Sequence, residues 1–221
     1  MRFDVKKAAQ AEKTVVTDTD MAAINAQTMT ALTPEEVFVF RVSACDDQVD
    51  RDDECFPRET LEKLAPMFVG RTVICDHSWS AANQQARIYK AEVRQDGNVA
   101  RLIVDCYMLR TAANQDAIAA INGGILREVS VGCTVARRVC SICGADARKC
   151  PHFRGMEYEG QKCHYKLVDP IDAYELSFVA VPAQREAGVI KKSAENNSGW
   201  TAADLDQAKG RLQIENERWK I

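Results

Sequence analysis

The sequence predicts an α+β domain in which mainly antiparallel strands are flanked by helices, and three observations carry that expectation. Apolar runs rich in β-branched and aromatic residues recur through the middle of the chain, as in VFVFRVSA from Val37 and NVARLIVDCYML from Asn98; such runs suit buried strands. One segment repeats its apolar residues at helical spacing instead: Leu61, Leu64, Ala65 and Phe68 fall at i, i+3, i+4 and i+7, one buried face. Two strand-like segments, ARIYKAEVRQ and NVARLIVDCYML, meet at Asp96-Gly97, a step that favours a tight hairpin.

The elements follow in order. Residues 1–33 have weak periodicity and many Ala, Thr and Asp residues, and are expected to be a flexible N-terminal arm, frayed or with an isolated helix, outside the core. The main domain spans 34–190. After the VFVFRVSA strand, DDQVDRDDE is a solvated loop, because its like charges repel. Pro57 suits the first turn of the next helix, and Gly70 its end. RTVICDH is a short strand running into His77, and Asn114 to Ile121 have helical character, with Ile118 and Ile121 on one side, closed by Asn122-Gly123-Gly124. REVSVGCTVARR carries Ser130 on a strand, residues 138–165 form a Cys-rich insert, and AYELSFVAVP is a closing strand ended by Pro182. Residues 191–221 read as a linker and a charged C-terminal helix.

Composition narrows the function classes. The 221 residues, 46% hydrophobic, suffice for one core but not for a second full domain. Lys+Arg total 29 against Asp+Glu 32, a net charge of −3, so no basic excess draws in nucleic acid or anionic lipid. The start, MRFDVKKAAQAEKTVV, has charges where a signal peptide needs an apolar run, which points to a cytoplasmic protein without a membrane partner. The nine cysteines are then thiols or metal ligands in preference to disulfides.

Serine hydrolysis needs a hydroxyl, a base and a group that orients the base. Of the three histidines, His152 and His164 lie in the Cys-rich insert, leaving His77 as the imidazole free of metal ligation. In Val129-Ser130-Val131-Gly132, alternation places the valines on one face and Ser130 with Gly132 on the other, where the glycine leaves room beside the hydroxyl. Glu175 is an acid inside an apolar strand, so it either faces water at an edge or holds a partner such as an imidazole. Each residue also has a plain structural reading. Asp172 is an alternative acid, Arg137 and Arg138 are nearby candidates for the oxyanion, and Cys75 and Cys133 are alternative nucleophiles, although Cys133 points away from the Ser130 face.

From about Val37 to Ile190 the ordered features, PRETLEKLAPMF, the strand reaching His77, LIVDCYML, AIAAINGGI, REVSVGCTV and YELSFVAVPA, resemble the prohead serine proteases of tailed bacteriophages. That family is similar in fold to the herpesvirus assemblin protease, so the resemblance implies a compact, mainly antiparallel β-barrel flanked by helices. It implies that Ser130 is the nucleophile, His77 the base and Glu175 the third member. The implied activity is a serine endopeptidase that cuts scaffold and major capsid proteins, and itself, within the assembling prohead in the bacterial cytoplasm. Portal protein and further copies of the chain are additional candidate partners.

The insert departs from the minimal pattern of that family. Cys140-Ser141-Ile142-Cys143 and Cys150-Pro151-His152 offer three thiols and an imidazole for one tetrahedral zinc, with Cys163 or His164 as alternative fourth ligands. An all-protein ligand set makes such a zinc structural, and no cofactor is expected for catalysis. Two other functions compete: a non-enzymatic capsid assembly or scaffolding protein with the same fold, and a zinc-stabilised nucleic-acid-binding module using Arg137, Arg148 and Lys149.

Overall fold

The computed structural model describes residues 16–190. Among them three α-helices, α1 (Asp18–Asn25), α2 (Arg58–Phe68) and α3 (Gln115–Asn122), accompany ten strands. These are β1 (Val37–Asp46), β2 (Glu54–Cys55), β3 (Thr72–Cys75), β4 (Ala86–Asp96), β5 (Val99–Leu109), β6 (Val129–Cys140), β7 (Glu157–Tyr158), β8 (Gln161–Lys162), β9 (Tyr165–Phe178) and β10 (Gly188–Ile190). The fold is therefore α+β and mostly strand. The linker and helix expected over 191–221, and residues 1–15 of the expected arm, lie outside the described residues.

Eight strands form one sheet in the order β10-β1-β5-β4-β3-β9-β2, with β6 on the other side of β9. Most pairs are antiparallel, but β9 runs parallel to both β3 and β2. The sheet does not close into the barrel that the resemblance implies. Between β6 and β10 there is only an isolated bridge, Glu128 to Gly188, and β10 has three residues, too few to continue a ladder along the twelve of β6.

The main core lies between the inner face of this curved sheet and α2 and α3. Leu61, Leu64, Ala65 and Phe68 of α2 are all buried, as the spacing predicts, against Phe40, Val73, Val104 and Leu176 among others. Burying side chains of this size contributes about 1.5–3 kcal/mol each. Strand β1 is buried on both faces. Phe38, Phe40 and Val42 face the main core, whereas Val37 and Val39 face a second cluster with Met21 and Ile24 of α1, Tyr89 and Tyr107.

Residues 18–25, within the segment expected to be an arm, thus form a docked helix. Its start is set by a reciprocal cap: Asp20 N–H donates to the Thr17 hydroxyl (3.1 Å) and Thr17 N–H to the Asp20 carboxylate (3.1 Å). The Tyr89 hydroxyl donates to Asp20 at 3.0 Å. Nearby, Arg41 and Asp105, partners in the β1–β5 register, form a buried two-pronged ion pair at 2.7 and 2.9 Å.

Candidate active site and metal centre

Strand β3 delivers His77. It pairs in parallel with β9, matching Thr72 with Glu175, Ile74 with Ser177 and Cys75 with Phe178. Directly after Cys75 the backbone turns sharply, with Asp76 at φ 55° and His77 at φ 50°. Two consecutive non-glycine residues in the left-handed region cost about 1–2 kcal/mol each. The turn is held by Asp76 N–H donating to Phe178 O (2.9 Å), His77 N–H to Ser177 Oγ (3.0 Å) and Ser78 N–H to Cys75 O (3.0 Å). Backbone strain retained this way is characteristic of functional sites.

The turn brings His77 Nδ1 to 2.7 Å from Glu175 Oε1. The Glu175 side chain is 3% exposed and that of His77 43%, so a buried carboxylate grips one ring nitrogen while the ring opens to solvent. The other carboxylate oxygen of Glu175 accepts from Ser177 Oγ at 2.7 Å. Ser177, fully buried, therefore fixes both members: it accepts from the backbone of His77 and donates to Glu175. This residue did not emerge from the sequence, although a second polar side chain two positions along the apolar strand YELSF, on the Glu175 face, was a usable signal.

Ser130 lies on the adjoining strand. In the antiparallel β6–β9 ladder Ser130 is opposite Ser177 and Gly132 is opposite Glu175, so all four share one face of the sheet. Val129 and Val131 face the core, as strand alternation predicts. Gly132 is required where it stands: a Cβ there would collide with Oε1 of Glu175 and come within 2.9 Å of its Cδ. The Ser130 hydroxyl makes no hydrogen bond to a protein group among the described residues.

A cleft of about 410 Å³ opens beside Glu175, lined by Thr72, Ile74, Trp79, Gln84 and Tyr174. Trp79 and Tyr174 pack against each other at 5.5 Å, and Trp79 is largely exposed. A second concavity, about 470 Å³, is lined by Gln27, Met29 and Arg87 among others and contains no carboxylate, imidazole or thiol.

The alternatives weighed from the sequence have other partners. Asp172 is bound to Arg71 at 2.7 Å. Arg137 is bound to Asp169, and Arg138 lies 3.6 Å from Glu54. Cys133 packs against the core, where burial, and secondarily the Glu175 charge, push its thiol up to about 11. Burial also raises the Cys75 thiol. Neither is poised as a thiolate nucleophile.

The Cys-rich insert gathers its ligands at the far end of the β6–β9 pair. The ligand atoms of Cys140, Cys143, Cys150 and His152 all lie within 4.8 Å of one another, a cluster that can hold a metal ion. Burial opposes ionisation of Cys140, but donors from the Cys143 and Ile142 amides and the neighbouring Cys150 and Cys163 thiols bring it down to about 6. A thiol so disposed is a ready metal ligand.

Comparisons with protein-family models, with curated proteins and with solved structures found no match. No helix among the described residues is long and apolar enough to cross a membrane.

Proposed function

We propose that this chain is a serine endopeptidase of the phage prohead-maturation type, with an assemblin-like arrangement of Ser130, His77 and Glu175. The observation that carries the proposal is the 2.7 Å contact between His77 Nδ1 and the buried Glu175 carboxylate, made through a strained turn. With Nδ1–H donated to Glu175, the lone pair resides on Nε2, which has no protein partner among the described residues and is available as a base.

In this mechanism Nε2 takes the Ser130 proton as Oγ attacks the scissile carbonyl, and Glu175 stabilises the imidazolium. The imidazolium then protonates the departing amine, leaving Ser130 acylated. Water, deprotonated by the same nitrogen, completes hydrolysis. The Ser130–His77 hydrogen bond belongs to the substrate complex, since catalytic hydrogen bonds commonly tighten only there. The cleft lined by Trp79 and Tyr174 reaches the site at Glu175. Substrates would be scaffold and capsid proteins, and the chain itself, inside the prohead, where co-packing supplies a high effective concentration in place of deep recognition.

The test is intact mass spectrometry over time on the wild type and Ser130→Ala, each assembled with capsid and scaffold partners. Trimming by the wild type alone is the expected result. Equal cutting by both removes Ser130 as nucleophile. The unbonded Ser130 hydroxyl favours one other reading, a non-enzymatic assembly component, and absence of cutting by either protein within assembled heads would establish that reading instead.

A further inference from the structure

We propose that the Cys-rich insert binds one zinc ion through four thiolates, Cys140, Cys143, Cys150 and Cys163, with His152 outside the coordination sphere. This site stands independently of the protease proposal. Cys163 lies outside the compact group that includes His152 but is a fifth candidate ligand, because it is fully buried and its Sγ lies 3.7 Å from that of Cys140. That distance is far too long for a disulfide. It matches a zinc tetrahedron: sulfurs about 2.3 Å from the ion are about 3.8 Å apart. The competing fourth ligand is His152, whose Nδ1 is 3.9 Å from Cys150 Sγ, against about 3.6 Å for a nitrogen and a sulfur on one tetrahedral zinc.

The surrounding backbone is arranged for thiolates. Ile142 N–H points at Cys140 Sγ (3.4 Å) and His152 N–H at Cys150 Sγ (3.3 Å), so each sulfur receives an amide donor from two residues further on. Such outer donors orient metal-bound thiolates and offset their charge. Gly144, at φ 72°, lets the chain reverse after Cys143, and its N–H donates to Cys140 O at 2.9 Å. The His152 ring packs edge-on against Tyr158 at 4.5 Å, and the His152 carbonyl accepts from the Tyr165 hydroxyl at 3.0 Å, contacts that hold this residue in place with or without a metal.

Cys163 is pinned by its own backbone, with Cys163 N–H donating to Met156 O and Gly155 N–H to Cys163 O, both 2.8 Å. Cys140 ends β6, opposite Tyr165 at the start of β9, and Cys163 stands two residues before that Tyr165. A four-thiolate zinc would therefore staple together the two strands that carry Ser130 and Glu175, at the end away from both. The insert has little apolar burial of its own, comprising Cys140, Cys163 and Tyr165 with a few flanking residues, so metal binding supplies what a core would.

The experiment uses the full chain purified in reductant and loaded with zinc, or with cobalt(II) as a spectroscopic probe, comparing wild type, Cys163→Ser and His152→Ala. The expected result is one metal per chain, with thiolate-to-cobalt charge-transfer absorbance down by about a quarter in Cys163→Ser and unchanged in His152→Ala. Zinc loss to a competing chelator should be at least ~10-fold easier for Cys163→Ser than for wild type. X-ray absorption on zinc-loaded wild type gives the ligand count even if Cys163→Ser fails to fold. Four sulfurs near 2.3 Å are expected. Three sulfurs and one nitrogen, an unchanged cobalt spectrum in Cys163→Ser, or wild type that takes up neither metal would each overturn the proposal.

Discussion

Replacing Gly132 with alanine tests the candidate active site without touching any of its polar groups. Alanine is ordinarily the better strand residue, worth about 0.5–1 kcal/mol over glycine, so any loss must come from the local collision. The added methyl would overlap Glu175 Oε1 and press on Cδ at 2.9 Å. Restoring an ordinary carbon–oxygen separation requires the carboxylate to move by about 1 Å, enough to weaken or break the 2.7 Å contact with His77 Nδ1. The Ser177 bond to the other oxygen is disturbed with it. Hydrogen bonds to a charged group contribute about 1.5–3 kcal/mol each, and partial re-formation leaves an expected loss of about 2–4 kcal/mol. For a domain of this size that lowers Tm by roughly 5–15 °C. An imidazole that loses its orienting acid loses up to about 10⁴-fold in turnover, so labelling of Ser130 by a fluorophosphonate, followed by intact mass, should slow ~10²–10⁴-fold. Labelling at the wild-type rate with an unchanged or higher Tm would refute the packing of Glu175 on Gly132 and its role in holding His77.

Ser177→Ala removes the donor to Glu175 and the acceptor of His77 N–H; the expected cost is about 1–3 kcal/mol, together with a displaced pH–rate profile for Ser130 labelling, whereas a profile identical to wild type would make Ser177 merely structural. Asp105→Ala strands the buried Arg41 guanidinium and should cost about 3–5 kcal/mol in denaturant unfolding, much of it recovered when Arg41→Met is added; equal losses in the single and double variants would contradict this. Burial, the leading cause in each case, raises the Cys55 and Cys133 thiols from 9.0 to about 11. Between those values the folded chain holds protons that the unfolded chain has released, so stability should fall as pH rises from about 9 to about 11. Unfolding midpoints across that window should fall less steeply for Cys133→Ala than for wild type, and parallel slopes would count against the burial argument.

The strands and helices were legible because they answer to local rules. The i, i+3, i+4, i+7 face of α2, the Asp96-Gly97 turn and the alternation that sets Ser130 and Gly132 opposite the valines all follow from periodicity and turn chemistry. Helix α1 was less legible, since its apolar residues are few and its docking depends on Tyr89 and Tyr107, far along the chain. The lack of barrel closure was hidden for a similar reason: the length of β10 depends on pairing with β1, and pattern alone does not register it.

For the site, the sequence by itself determined which side chains are present: one histidine outside the Cys-rich insert, an acid in the closing apolar strand, a serine close to a glycine, and thiols enough for a metal. Only the tertiary structure decided that Glu175 grips His77 while Asp172 takes Arg71, that Ser177 ties the pair together, and that Cys163 lies beside Cys140. Those choices depend on the parallel register of β3 with β9, the antiparallel register of β6 with β9 and a left-handed turn at Asp76 and His77. Register is a contest between distant segments for burial and hydrogen bonds, and no local pattern of residues records its outcome.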